Sequence, residues 1–219
     1  TDPAEKEALR NKIQKISLAV QQKFSVDEMC LIANNGKELT RIVFNEIAPD
    51  SDLSPDESGA PFYAPSFKKK HRQIHIEAPY LSADSERWVV AYTTPIVLKD
   101  GNKPAFLHYE IPLSFYIGEM SKGVQGEDEY VVVVGNDGLV YSDSRREYKL
   151  DGDPGANPPA SDFFPAFDDG SSPEVKGILA SMKDGKSGSD SFTQGGNSYA
   201  IVYKSLGYFD WSLAVISRN

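Results

Sequence analysis

One cysteine, three histidines and two tryptophans are all that the 219 residues offer of these types. A single thiol, Cys30, cannot close a disulfide within the chain or build a cysteine-rich zinc centre. Set in Met29-Cys30-Leu31-Ile32-Ala33, it reads as a small core residue and not as a nucleophile. No apolar run approaches the ~20 residues that span a bilayer, and no signal peptide is recognisable. With its start at Thr1-Asp2-Pro3 and its stop at Ser217-Arg218-Asn219, the sequence is expected to be a soluble segment of a longer chain. Positive charge is scarce as well. The formal net charge is −9, so the average surface would repel a nucleic-acid backbone. The one basic run, Lys68 to Arg72, reads as a solvated loop.

Catalytic signatures are missing too. No histidine follows His108, so Ser142-Asp143-Ser144 has no local base for a nucleophilic serine. Gly185-Lys186-Ser187-Gly188 lacks the leading glycine spacing of a phosphate loop. Glu127-Asp128-Glu129 and Asp168-Asp169 lack the spacing of a calcium loop. We therefore expect a non-catalytic chain with no cofactor.

What is present is a regular layout. Apolar residues make up 40% of the sequence, enough for a sizeable core. Asp2 as cap, Pro3 at the first helical position and Glu5 in the first turn begin a helix. Leu9, Ile13, Ile16 and Val20 lay one apolar stripe along it, which suits packing on the following domain or on a second helix in a homodimer. From Val26 the period shortens. Met29–Ala33 and Glu38–Phe44 read as strands joined by a turn at Asn34-Asn35-Gly36. About a hundred residues later Tyr130–Val134, a turn at Asn136-Asp137-Gly138 and Leu139–Ser142 repeat the unit. Each hairpin is followed by a Pro/Asp/Ser-rich excursion and then by three strands. These are Ile74–Leu81, Trp88–Leu98 and Pro104–Leu113 in the first half, and Ser189–Phe192, Ser198–Lys204 and Trp211–Ile216 in the second. A short helix over Phe115–Ser121 joins the halves. The pattern predicts an α+β chain: a long N-terminal helix, then two roughly five-stranded antiparallel sheets flanked by short helices and loops.

Several segments in this order resemble the double Cache sensors, tandem PAS-like domains found outside the membrane in histidine kinases, chemoreceptors and cyclic-di-GMP enzymes. They are Ala60-Pro61-Phe62-Tyr63-Ala64-Pro65, Ala78-Pro79-Tyr80-Leu81-Ser82, Trp88 to Ile96, His108 to Leu113, Tyr130 to Gly138, and Val202 to Leu206 followed by Trp211 to Val215. The resemblance covers essentially the whole chain. It implies a signalling helix over residues 1–25, a membrane-distal PAS-like module over 26–121 and a membrane-proximal one over 122–219. It also implies an extracytoplasmic location, flanking transmembrane helices outside this sequence, and a small-molecule ligand in the distal module.

The residues expected to line that pocket are Phe62, Tyr63, Tyr80, Ser82, Trp88, Tyr92, Thr94, His108 and Glu110. By the resemblance, Tyr80 matches a ligand-contacting tyrosine and Glu110 an acidic group that meets a ligand ammonium. Amino-acid-binding members carry an arginine where this chain has Ala60, and an aspartate where it has Ser82. The bidentate clamp for a carboxylate is thus missing, which favours an amine or an aromatic ring compound over an ordinary amino acid. Strand parity places Trp88, Tyr92 and Thr94 on one face, and sends Tyr109 and Glu110 to opposite faces. Two His-x-Glu pairs, His75/Glu77 and His108/Glu110, raise the question of a metal. With Trp88–Leu98 between their strands they lie about 10 Å apart, too far to share one ion. No metal site is expected from them.

Overall fold

The computed structural model describes residues 2–122, 128–146, 150, 164, 166–167, 172–207 and 209–219. The acidic pair Asp168-Asp169, Glu127 and most of the second excursion lie outside the described residues. The described residues divide into two compact units, one ending at Phe115 and the next beginning at Tyr116.

The first unit opens with helix α1 (Pro3–Gln21), capped by the Asp2 side chain, which accepts the Ala4 N–H at 3.1 Å. Its buried face is polar, formed by Gln14, Ser17 and Gln21. Gln14 donates to Thr40 Oγ1 at 3.0 Å, and Gln21 donates to the carbonyls of Asp27 and Ile42. Of the apolar stripe, Ile13 and Val20 are half-buried while Leu9 and Ile16 are 53% and 57% exposed. Hydrogen bonds to a sheet edge, and not the hydrophobic period, therefore set the rotation of this helix.

Seven strands follow: β1 (Glu28–Ala33), β2 (Glu38–Val43), β3 (Glu46–Ile47), β4 (His75–Ile76), β5 (Tyr80–Leu81), β6 (Trp88–Ile96) and β7 (Ala105–Pro112). They pair antiparallel in the order β3-β2-β1-β7-β6-β4, with β5 also on β6. The single strand expected over 74–81 is thus split in two. Pro79, which has no N–H for the ladder, stands between the pieces. At the β1–β2 turn Gly36 has φ +86°, and a Cβ there would lie 2.1 Å from Asp56 Oδ1. Glycine lets the 54–58 segment close over the hairpin, where Glu57 N–H donates to Gly36 O. Helix α2 (Tyr63–Lys68) then covers one sheet face.

The second unit begins within helix α3 (Leu113–Ser121) and holds β8 (Glu129–Gly135), β9 (Val140–Asp143), helix α4 (Pro173–Lys183), β10 (Gly188–Gln194), β11 (Asn197–Ser205) and β12 (Trp211–Arg218). The sheet order is β10-β11-β12-β8-β9. Val175, Ile178, Leu179 and Met182 of α4 close its core against Val132, Val134, Ile201 and Ile216. The repeat noted in the sequence extends to detail. Both hairpins turn on a positive-φ glycine, Gly36 and Gly138, and both carry a register irregularity, at Leu31/Ile32 and at Val133/Val134.

Candidate ligand-binding site

Strand register gathers a polar cluster in the first unit. On β1, Glu28, Cys30 and Ile32 project from one face, since alternate residues of a strand share a side. On β7, Glu110 stands opposite Glu28 and His108 opposite Cys30. On β6, Ala91 faces Glu110 and Thr93 faces His108. The roof over this row comes from the 57–68 segment and β5. Phe62 stacks on His108 with ring centroids 4.2 Å apart and 28° between planes. The Ser66 hydroxyl of α2 lies 2.6 Å from Thr93 Oγ1. Tyr80 donates its hydroxyl proton to Glu110 Oε1, and the Tyr80 hydroxyl oxygen lies 3.2 Å from His108 Nε2.

Beside this group, Cys30 Sγ lies 2.8 Å from Glu28 Oε1 and 2.9 Å from Glu38 Oε1. Glu38 is fixed by the Ser54 N–H at 2.8 Å. Arg41, opposite Cys30 on β2, brings positive charge, reaching Glu38 at 3.5 Å and Asp84 at 2.8 Å. Three glutamates, one cysteine and one histidine are therefore buried together.

Burial governs their protonation. It lifts the Glu110 carboxyl to about 7, with hydrogen bonds from Tyr80 and Ser82 working against it. Burial, then the neighbouring charges of Glu110 and Asp84, hold Glu28 well above the ordinary carboxyl range. Burial, reinforced by Glu28 and Glu38, raises the Cys30 thiol. Burial alone drives His108 down to about 3, so its imidazole is neutral at neutral pH. Glu28 Oε2, Glu110 Oε2 and His108 Nδ1 are buried without hydrogen-bond partners, each at a cost of about 1–3 kcal/mol. Uncompensated polar groups gathered in one place are a mark of a functional site rather than of a stabilising core.

Of the nine residues expected here, Phe62, Tyr80, His108 and Glu110 meet in this cluster. Ser82 is buried beside them, its hydroxyl oxygen accepting the Ser85 N–H at 3.2 Å. Tyr63 packs beside them on Phe106 and Phe67, with its hydroxyl donated to Asn34 O at 2.8 Å. Trp88, Tyr92 and Thr94 are not brought to them. Thr93 faces His108, so Tyr92 and Thr94, together with Trp88, alternate to the other sheet face. His75, opposite Thr93 on β4, is two strands from His108 and pairs with Glu77 at 3.0 Å. Sequence reasoning missed Glu28, Glu38 and Arg41, and it read Cys30 as apolar packing. The available signal was the alternation Glu28-x-Cys30 entering an apolar strand, which is uninformative until β7 is placed beside β1.

Hollows are also found among the described residues. A groove of about 860 Å³ runs beside α1, lined by Leu9, Ile13, Leu31, Leu39 and Leu53 among others. In the second unit a cavity of about 210 Å³ is lined by Tyr130, Arg145 and Phe192. There Arg145 lies 3.6 Å over the Tyr130 ring and is held by Asp143.

No protein-family model and no curated protein matches the chain in sequence. Solved structures match it in fold. The extracellular domain of a predicted histidine kinase, mmHK1S-Z2, superposes with a TM-score of 0.69 at 14% identity, over 97% of this chain and 81% of that one. The sensory domain of the Campylobacter jejuni chemoreceptor Tlp3 with isoleucine bound gives 0.66 at 15%, over 100% and 78%. A domain of a predicted sensory box/GGDEF family protein from Vibrio parahaemolyticus gives 0.66 at 16%, over 100% and 80%. The chain thus has the tandem PAS-like fold, one helix followed by two antiparallel-sheet modules, that these receptor domains share.

Proposed function

We propose that the chain is the extracytoplasmic sensing domain of a transmembrane receptor with histidine kinase output, and that its first unit binds a small cationic ligand. The observation that carries this reading is the buried cluster of Glu28, Glu38 and Glu110 under a roof of Phe62 and Tyr80. Buried carboxyls with a single arginine beside them favour positive charge, and the aromatic roof suits an ammonium. The neutral imidazole of His108 adds an acceptor without adding a competing cation. The likeness to extracellular receptor domains supports the location, with the first unit as the membrane-distal module and flanking transmembrane helices joining it to the cell. For a signal to leave the site, ligand must bind one packing of Phe62 and Tyr80 more tightly than another.

A thermal-shift screen against primary and quaternary amines, aromatic amines, amino acids, short carboxylates and sugars tests this. Ligand at a hundred times its dissociation constant adds about 2.7 kcal/mol. An amine that stabilises the native chain, and loses its effect in Glu110→Gln, supports the reading. Stabilisation by carboxylates or sugars alone contradicts it.

A further inference from the structure

The same buried cluster has a geometry that an organic amine does not require. Each of Glu28, Cys30 and His108 offers one ligand atom, and these atoms lie within 4.8 Å of one another. His108 Nδ1 is 3.9 Å from Glu28 Oε1, and it is a buried nitrogen with no hydrogen-bond partner, on a side chain only 2% exposed. Glu38 Oε1 lies 2.9 Å from Cys30 Sγ, beside this group. We propose that Cys30, His108 and Glu28 form a binding site for a divalent transition-metal ion of the zinc class, a reading that rests on this cluster being the ligand site.

Distances support the assignment. Bond lengths of about 2.0–2.3 Å in a tetrahedron separate ligand atoms by about 3.3–3.8 Å. The Cys30–Glu28 and Glu28–His108 separations are 2.8 and 3.9 Å, which bracket that range. One thiolate, one imidazole and one carboxylate suit a borderline ion and leave a fourth position for another ligand. Calcium and magnesium, which demand all-oxygen shells, are excluded by the sulfur and nitrogen. Charge fits as well, because a doubly positive ion offsets buried carboxylates that Arg41 alone faces on β2. The ligands sit on two adjacent strands, β1 and β7, held in register by their ladder. Binding displaces the Cys30 thiol proton to solvent and leaves a thiolate on the ion. His75 and Glu77, two strands away, take no part.

The test is titration of the metal-stripped 219-residue chain with Co²⁺, followed by competition with Zn²⁺. One equivalent of Co²⁺ is expected to bind with tetrahedral visible bands and a thiolate-to-cobalt charge-transfer band in the near ultraviolet. Cys30→Ser should abolish the charge-transfer band and weaken Zn²⁺ binding beyond the roughly 10–100-fold that outer-shell changes cost. His75→Ala should leave both unchanged. Co²⁺ binding without a thiolate band, or no Co²⁺ binding at all, overturns the assignment in the native chain, whatever the folding of the variant. A chain that refuses metal yet is stabilised by an amine in a Glu110-dependent way overturns the metal site and leaves the sensor reading standing. A chain indifferent to both defeats both.

Discussion

His108 gives the most exacting physical prediction. Its imidazole is 2% exposed and stacked under Phe62, and burial lowers its pKa from 6.5 to about 3. A base that is harder to protonate in the folded state contributes stability that is complete above pH 6.5. That stability drains away as pH falls toward 3, because the unfolded chain takes up the proton first. Each pH unit in that window is worth about 1.4 kcal/mol, so lowering the pH from 7 to 4 should remove about 3 kcal/mol through His108 alone. Glu110 works the other way. Raised from 4.5 to about 7, it contributes stability that is complete below pH 4.5 and is lost as pH rises through 7. Between pH 4.5 and 6.5 the two therefore oppose, and the wild-type profile should be shallow. In His108→Asn only the acidic contribution remains, so stability should fall steadily as pH rises across that interval. The assay is urea unfolding in chelator, followed by the fluorescence of Trp88 in a Trp211→Phe background, so that only the first unit reports. If the difference between parent and His108→Asn is the same at pH 4 and pH 7, the imidazole is not held neutral by burial and the electrostatic account fails.

Other substitutions follow from the same packing. Gln21→Ala removes two donated hydrogen bonds to Asp27 O and Ile42 O and one accepted from the Asn45 N–H. It should cost about 1–3 kcal/mol and lower the urea midpoint of the first unit. An unchanged midpoint would mean that polar contacts do not seat α1. Tyr80→Phe takes the donor from Glu110 without opening a large void. It should raise the carboxyl's pKa further and cost about 1.5–3 kcal/mol near pH 8, where the charge is stranded, with less loss at pH 5. Equal losses at both values would show that the hydroxyl stabilises by packing alone.

The sequence and the structure agree most closely where one local signal suffices. The strands β1, β2, β6 and β7 and the five of the second sheet follow from apolar runs bounded by Gly, Asn and Asp turns, and their ends shift by only one or two residues. The repeat of hairpin and glycine turn was readable because glycine at positive φ leaves a signature in a single position. Strand 74–81 was harder, since Pro79 breaks a ladder without breaking an apolar pattern. The helix stripe behaves differently: Leu9 and Ile16 carry the hydrophobic period yet stay exposed, while Gln14, Ser17 and Gln21 are buried. In the candidate site, Tyr80 and Glu110 were expected from the family resemblance, and parity grouped Trp88, Tyr92 and Thr94 with one another. Parity within one strand does not say which face a neighbouring strand presents, so their separation from His108 became visible only with the β6–β7 register. Glu28, Cys30 and Glu38 escaped because their association is a matter of which strands are neighbours, a long-range property that no short motif encodes.

The central claim is that ligand is taken up on the β1–β7 face of the first unit. Hydrogen exchange read by mass spectrometry, with and without the amine that gives the largest thermal shift, tests it most directly. The account predicts added protection in peptides covering Glu28–Ala33, Phe62–Phe67, Tyr80–Ser82 and Ala105–Glu110, with the second unit unchanged. Protection centred instead on Tyr130, Arg145 and Phe192 would place the ligand in the second-unit cavity and contradict it.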